Sequence, residues 1–210
     1  MTPQQRALAV AAATAIAIPA EGLRRTYYYD PPGILTVCYG HTQSVDKSRI
    51  YTEAECRALL DQDMTEAVDT AARCAPGAPW QVVAAFGDAI YNIGPRIACD
   101  RATSTAARLL AARRFEEACR QLPRWNKARV AGVLVPLGGL TKRRAKEETL
   151  CLSAYAQASP VASLGWPDDR RDVGPRGGAG AAGAGSGCRR GCGAVPRAGG
   201  MAGHAFHARA

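Results

Sequence analysis

Apolar positions fall into helix-spaced groups separated by glycine and proline breaks. The chain opens with a helix start in which Thr2 caps, Pro3 takes the first position and Gln5 returns the cap. From Ala7 to Ala20 the residues are then uniformly small or apolar, with Arg6 before the run and Pro19 near its end. That run is short for a spanning helix and has the length of a secretory core segment or a buried helix. Next, Pro31-Pro32-Gly33 predicts a turn, and the β-branched and aromatic stretch Ile34 to Tyr39 a short strand. A polar loop over Gln43 to Tyr51 leads to a capping box, Thr52-Glu53-Ala54-Glu55, which begins a helix reaching about Arg73.

In that helix Ala54, Leu59, Leu60, Met64 and Val68 share helical spacing. Beyond the Ala75-Pro76-Gly77 break, Val82, Val83, Phe86, Ile90 and Ile93 mark a helix over Trp80 to Asn92 as the main core element, and Gly94-Pro95 stops it. Shorter helices follow over Ser104 to Ala112 and Phe115 to Leu122, with Trp125 as a core aromatic. An apolar connector over residues 132–140 precedes a last helix, Lys142 to Leu152, whose Lys142-Arg143-Arg144 cluster reads as a solvated face. After Ser153 the composition changes. Gly, Ala, Arg and Pro dominate from Gly174 onward with almost nothing apolar and large to bury, which predicts a disordered tail over 153–210. It reads as an off-frame translation or a basic, wall-adhering appendage.

With 47% apolar residues the chain can fill the core of one ordinary domain. The net charge of +9 suits an anionic wall polymer and nucleic acid equally, so charge does not choose between them. Cysteine usage is more informative. Cys38, Cys56, Cys74, Cys99, Cys119 and Cys151 are an even set without zinc-site spacing, which favours disulfides and an oxidising compartment over buried free thiols. Cys188 and Cys192 in the tail form a lone C-x3-C with little metal-binding weight.

The chemistry is concentrated between Glu21 and Thr42. Glu21, Asp30 and Thr36 form the pattern E-x8-D-x5-T, followed by Gly40-His41-Thr42. Cleaving a glycosidic bond takes an acid that protonates the leaving oxygen and a second group that stabilises the cationic sugar or directs water. With this order and spacing the chain resembles the phage-type lysozymes, glycoside hydrolase family 24. The resemblance implies an α+β fold, mainly helical, with a small β-hairpin carrying part of the active site, and hydrolysis of the β-1,4 bond between N-acetylmuramic acid and N-acetylglucosamine.

Carried over residue by residue, the resemblance makes Glu21 the general acid, Asp30 the second carboxylate and Thr36 a positioner of water. Tyr91, in Ala89-Ile90-Tyr91-Asn92-Ile93-Gly94, becomes a sugar contact, as do Thr105 and Gln121. His41 and Asp63 match a structural pair between hairpin and helix, and no second His lies near His41 to make a metal site. Exported relatives imply bridges Cys38–Cys56 and Cys119–Cys151, which leaves Cys74 with Cys99. The implied partners are peptidoglycan glycan strands, with no cofactor, metal or nucleic acid, and the protein acts as a monomer.

The chain divides into an apolar helix over 1–20, a catalytic region over 21–152 and the tail. The resemblance extends to endolysins with a releasable signal-anchor. It implies export to the host periplasm and transient inner-membrane association through residues 7–20, with the enzyme inactive until release. Other classes are less well matched. A wall-binding module would not need all three catalytic groups, a holin-like role needs more than one short apolar run, and a lytic transglycosylase uses one acid.

Overall fold

A computed structural model describes residues 1–30, 33–130 and 132–156. Helix α1 (Pro3–Glu21) opens with the expected box: the Thr2 amide donates to Gln5 Oε1 at 2.9 Å and the Gln5 amide to Thr2 Oγ1 at 3.2 Å. Ala9, Ala13 and Ala17, four residues apart, are fully buried. Such a stripe of small side chains lets backbones approach, and α1 packs along helices α2 (Glu53–Cys74) and α3 (Trp80–Ile93). The sequence reading ends this helix near Pro19, but Pro19 lies inside it. Only one amide donor is lost there, and two further residues continue the helix to Glu21. Gly22, at φ 71° and ψ 156°, then turns the chain in a conformation that side chains disfavour.

Helix α2 begins with the capping box read from Thr52 and Glu55. Its inward face is Cys56, Leu60, Met64, Ala67, Val68 and Ala71, so Cys56 takes the place that spacing gives Ala54, which is exposed. Helix α3 is buried along almost its whole length, including Val82, Val83 and Phe86. Each large apolar side chain removed from water there stabilises by about 1.5–3 kcal/mol. The α2 and α3 backbones meet at Gly87, where a Cβ would lie 2.7 Å from Val68 Cγ2 and 3.2 Å from Val68 Cα. Only glycine fits that crossing.

Strands β1 (Arg24–Tyr29) and β2 (Leu35–Cys38) form an antiparallel hairpin that pairs Tyr28 with Thr36 and Tyr29 with Leu35. Its turn is closed by the Gly33 amide donating to the Asp30 carbonyl at 2.7 Å and the Asp30 amide to the Ile34 carbonyl at 3.0 Å. Pro31 and Pro32 of the expected turn lie outside the described residues. Cys38 sits at φ 61°, a left-handed backbone that costs a non-glycine residue about 1–2 kcal/mol. Its bridge to Cys56 and its place at the end of β2 hold it there.

The chain continues through α4 (Arg96–Cys99), α5 (Thr105–Ala111), α6 (Phe115–Cys119) and a 3-10 turn (Leu122–Trp125). The expected connector over 132–140 is instead a second hairpin, β3 (Lys127–Val130) with β4 (Val133–Pro136), and α7 (Gly138–Leu152) starts directly after it. These strands are exposed on both faces, so no alternation of apolar and polar positions announces them. Trp125 is partly buried against the core, as are Ala154 and Tyr155 after α7. Residues 157–210, most of the expected tail, lie outside the described residues.

Three disulfides join Cys38 to Cys56, Cys74 to Cys99 and Cys119 to Cys151, with Cα separations of 5.0, 5.2 and 5.6 Å. They tie the first hairpin to α2, the end of α2 to α4, and α6 to α7. The sequence separations of 18, 25 and 32 give about 3–4 kcal/mol each in the chain-entropy model. Replacing Cys74 and Cys99 together by alanine is expected to lower the melting temperature by roughly 10 °C. Calorimetry of the non-reduced proteins checks this, and the double variant should respond less to reductant than the parent.

Candidate active site

Glu21 is the last residue of α1, and its side chain is 10% exposed. Arg143, from α7, donates through Nη1 to Glu21 Oε1 at 2.6 Å. The same guanidinium grips Asp88 of α3 with two parallel bonds, Nε to Oδ2 at 2.9 Å and Nη2 to Oδ1 at 2.7 Å. A fork against a carboxylate fixes the guanidinium plane, so Arg143 aims one remaining donor at Glu21. Arg143 is 4% exposed and Asp88 fully buried. Burial pulls the Arg143 guanidinium towards losing its proton, but Asp88 and then Glu21 outweigh burial and hold its pKa above the usual range.

Tyr91 lies beside this junction. Arg143 Cζ is 6.0 Å from its ring centroid, and its hydroxyl donates to the Tyr39 carbonyl at 2.5 Å. The turn after β2 is thereby tied to α3. Behind Arg143 sits a second buried pair. Arg144 Nη2 donates to Asn92 Oδ1 at 2.9 Å and lies 2.6 Å from Glu147 Oε1, with Arg144 and Glu147 both fully buried. Among the described residues Arg144 Nε and Nη1 and both carboxyl oxygens of Glu147 have no hydrogen-bond partner. Burial pushes Glu147 well above the usual carboxyl range, opposed by Arg144 and reinforced by Asp88. Burial likewise pulls Arg144 down, opposed by Glu147.

Asp30 directly follows the first strand and uses one oxygen locally, with the Ile34 amide donating to Oδ1 at 2.7 Å. Thr36, on β2, is 2% exposed and its hydroxyl donates to the Ile34 carbonyl at 3.0 Å. Asp30 and Thr36 are therefore both fixed by the backbone of residue 34. His41 and Asp63 meet at 2.9 Å between the turn after β2 and α2. Among the described residues no group of His, Cys, Asp and Glu could hold a metal ion.

Glu21 lines a cavity of about 360 Å³ with Ile16, Pro19, Asn92, Leu140 and Lys146, and neither Asp30 nor Thr36 lines that cavity. Thr105 and Gln121 share another, of about 250 Å³, with Thr103 and Trp125. Tyr91 faces a third, of about 270 Å³, beside Asp63 and Glu66. Five of the six expected catalytic and sugar-binding residues thus stand on short elements or element ends around the core, and Tyr91 near the end of α3. Glu21, Tyr91 and the Thr105–Gln121 pair thus line three different cavities among the described residues.

A family model described as Phage lysozyme matches residues 19–147, from the end of α1 to the buried Glu147. The chain belongs to the phage lysozyme family. It is 37% identical over 137 residues to a SAR-endolysin of Bacteriophage PS119, a match covering 63% of this chain and 76% of that one. To the SAR-endolysin of Pseudomonas phage phiKMV it is 32% identical over 164 residues, covering 77% of this chain and 99% of the relative. Among solved structures it is similar to the muramidase domain of SpmX from Asticaccaulis excentricus, with a TM-score of 0.58 and 26% identity over 69% of this chain and 95% of that domain. The active form of the P1 phage endolysin Lyz shares the fold, with a TM-score of 0.59 and 24% identity over 70% of this chain and 86% of that one.

In this phage lysozyme the most consequential residues beyond the motif escape a reading from sequence. The Lys142-Arg143-Arg144 cluster is not a solvated face: Lys142 is exposed, but Arg143 and Arg144 are buried. Helix α7 starts four residues earlier than expected and turns Leu140, Arg143, Arg144, Glu147 and Cys151 inward as one stripe. The helical spacing between Leu140 and Cys151 was the available signal, and the charges on it obscured it. Asp88 carried a signal too, because an acid inside the apolar run of α3 requires a cation.

Removing Glu147 would leave Arg144 as a buried charge without its nearest carboxyl partner. Glu147→Ala is expected to destabilise the fold by about 3–5 kcal/mol. Urea unfolding checks this, and Glu148→Ala, one position outside the stripe, should stay within about 0.5 kcal/mol of wild type.

Proposed function

We propose that this protein is an endolysin of the muramidase type, which hydrolyses the β-1,4 bond between N-acetylmuramic acid and N-acetylglucosamine in peptidoglycan and so lyses the host cell. The observation that carries the reading is the setting of Glu21: a nearly buried carboxyl at a helix end, with one oxygen held by Arg143 and the side chain facing a cavity. One oxygen fixed and one free is what proton donation to a glycosidic oxygen needs. Asp30 serves as the second carboxylate, stabilising positive charge on the sugar or steering water, and Thr36 helps to place that water. Tyr91, Thr105 and Gln121 contact the glycan, and the enzyme works as a monomer without metal or cofactor.

Export is part of the same reading. Relatives at 37% and 32% identity carry the name SAR-endolysin. Between Ala7 and Ala20 no position of α1 is charged, although Leu8, Ala11 and Ala15 face solvent in the folded protein. No helix among the described residues is long and apolar enough to cross a membrane, so the association of residues 7–20 is shallow and reversible. In the membrane the segment holds Glu21 away from Arg143, and the tethered form is inactive. Release to the periplasm lets α1 pack and brings the two together.

Glu21→Gln keeps the shape of the side chain but cannot donate the proton, and is expected to lower wall-lytic activity by about 10² to 10⁴ with an unchanged fold. Lysis of purified peptidoglycan with mass analysis of the products checks both parts. Wild type should release reducing muramic ends, whereas anhydro ends would indicate transglycosylation and activity of Glu21→Gln within tenfold of wild type would displace Glu21 from its role.

A further inference from the structure

The contact between Arg143 and Glu21 poses a problem for the proposed chemistry. A proton donor must hold its proton until the bond breaks, yet a guanidinium against a carboxyl favours the ionised form. Arg143 Nη1 lies 2.6 Å from Glu21 Oε1. The geometry contains its own counterweight. Arg143 faces two carboxylates, and the one it grips through two bonds is Asp88, fully buried and on a different helix. An ionised Asp88 and Arg143 together carry no net charge.

We infer that Asp88 is a positioning residue for the proton donor: it neutralises Arg143, so that the guanidinium orients Glu21 by a hydrogen bond without holding it ionised. This inference rests on the assignment of Glu21 as general acid. The other charged and titratable groups facing the junction do not replace Asp88. From α3 the Tyr91 ring lies 6.0 Å from Arg143 Cζ, and its hydroxyl donates to the Tyr39 carbonyl. On α7 Arg144 is paired with Glu147 at 2.6 Å, and Glu147 lies 3.8 Å from Arg143 Nε against 2.7 Å for Asp88 from Nη2. Lys142 and Lys146 on the cavity rim are exposed and screened by solvent. From α1 Glu21 is the one charged side chain at the junction.

The consequence is a sign that a purely structural role would not produce. With Asp88→Asn the full charge of Arg143 acts on Glu21, and the alkaline limb of the pH–rate profile should fall at lower pH, by about one unit or more. With Arg143→Gln the buried charge of Asp88 is left alone near Glu21, and the limb should move to higher pH. The double variant removes both charges and should return the limb to within a few tenths of a unit of wild type.

The experiment is the rate of release of reducing ends from purified peptidoglycan against pH for the four proteins, each checked for folding by circular dichroism. Opposite displacements that cancel in the double variant support the inference. Displacements of one sign, no displacement, or a double variant displaced as far as either single one overturn it. If Asp88→Asn does not fold, Arg143→Gln against the double variant decides: a limb at higher pH in the single variant supports the inference, and coincident limbs overturn it. Glu21→Gln run beside them separates the two readings. An active Glu21→Gln removes the acid assignment and this inference with it, whereas an inactive one with unmoved limbs removes this inference alone.

Discussion

Three helices of this protein converge on the guanidinium of Arg143. It is where the end of α1, the middle of α3 and the inner face of α7 touch, and each supplies one partner: Glu21, Asp88 and the arginine itself. A buried arginine tolerates no missing partner, because the charge left behind costs several kcal/mol. The constraint runs both ways. The three helices must pack for Glu21 to be held, and Glu21 must arrive for Arg143 to be fully satisfied.

That dependence lets a chemically plain first helix place Glu21. Its buried stripe is alanine, which contributes little burial energy per residue but allows close approach to α3. Its anchoring contacts stand near its two ends: Arg6 on Asp69 of α2, a pair exposed enough to contribute at most about 1 kcal/mol, and Glu21 on Arg143. In the proposed signal-anchor cycle this helix, packed through small side chains and tied near both ends, is the element that is withdrawn. Its withdrawal takes Glu21 away from Arg143. In the proposed signal-anchor cycle, one undocking event silences the enzyme without a separate inhibitor.

Much of this was legible in the sequence, and the reasons differ by element. The starts of α1 and α2 were readable because Thr2 with Gln5 and Thr52 with Glu55 satisfy amide donors that any helix start leaves open. Helix α3 was readable because its apolar positions are buried nearly all round. The second hairpin was not, since strands exposed on both faces carry no period. The Arg143, Arg144 and Glu147 stripe was misread because hydrophobic patterning assigns charged residues outward, and only their spacing from Leu140 and Cys151 contradicts that. Glu21, Asp30 and Thr36 came from a motif rather than from periodicity. Their spacing says nothing of Arg143, which stands 122 residues away from Glu21 in the chain.

The central claim is that Arg143 holds Glu21 in solution in the state that performs catalysis. Nuclear magnetic resonance of wild-type protein labelled at arginine side chains and glutamate carboxyl carbons tests it most directly. The account predicts a slowly exchanging Arg143 Nη proton whose shift changes with the same midpoint as the Glu21 carboxyl carbon, and a coincident alkaline limb of activity. An Arg143 signal that stays constant while Glu21 titrates, or a Glu21 midpoint remote from the activity limb, would contradict it.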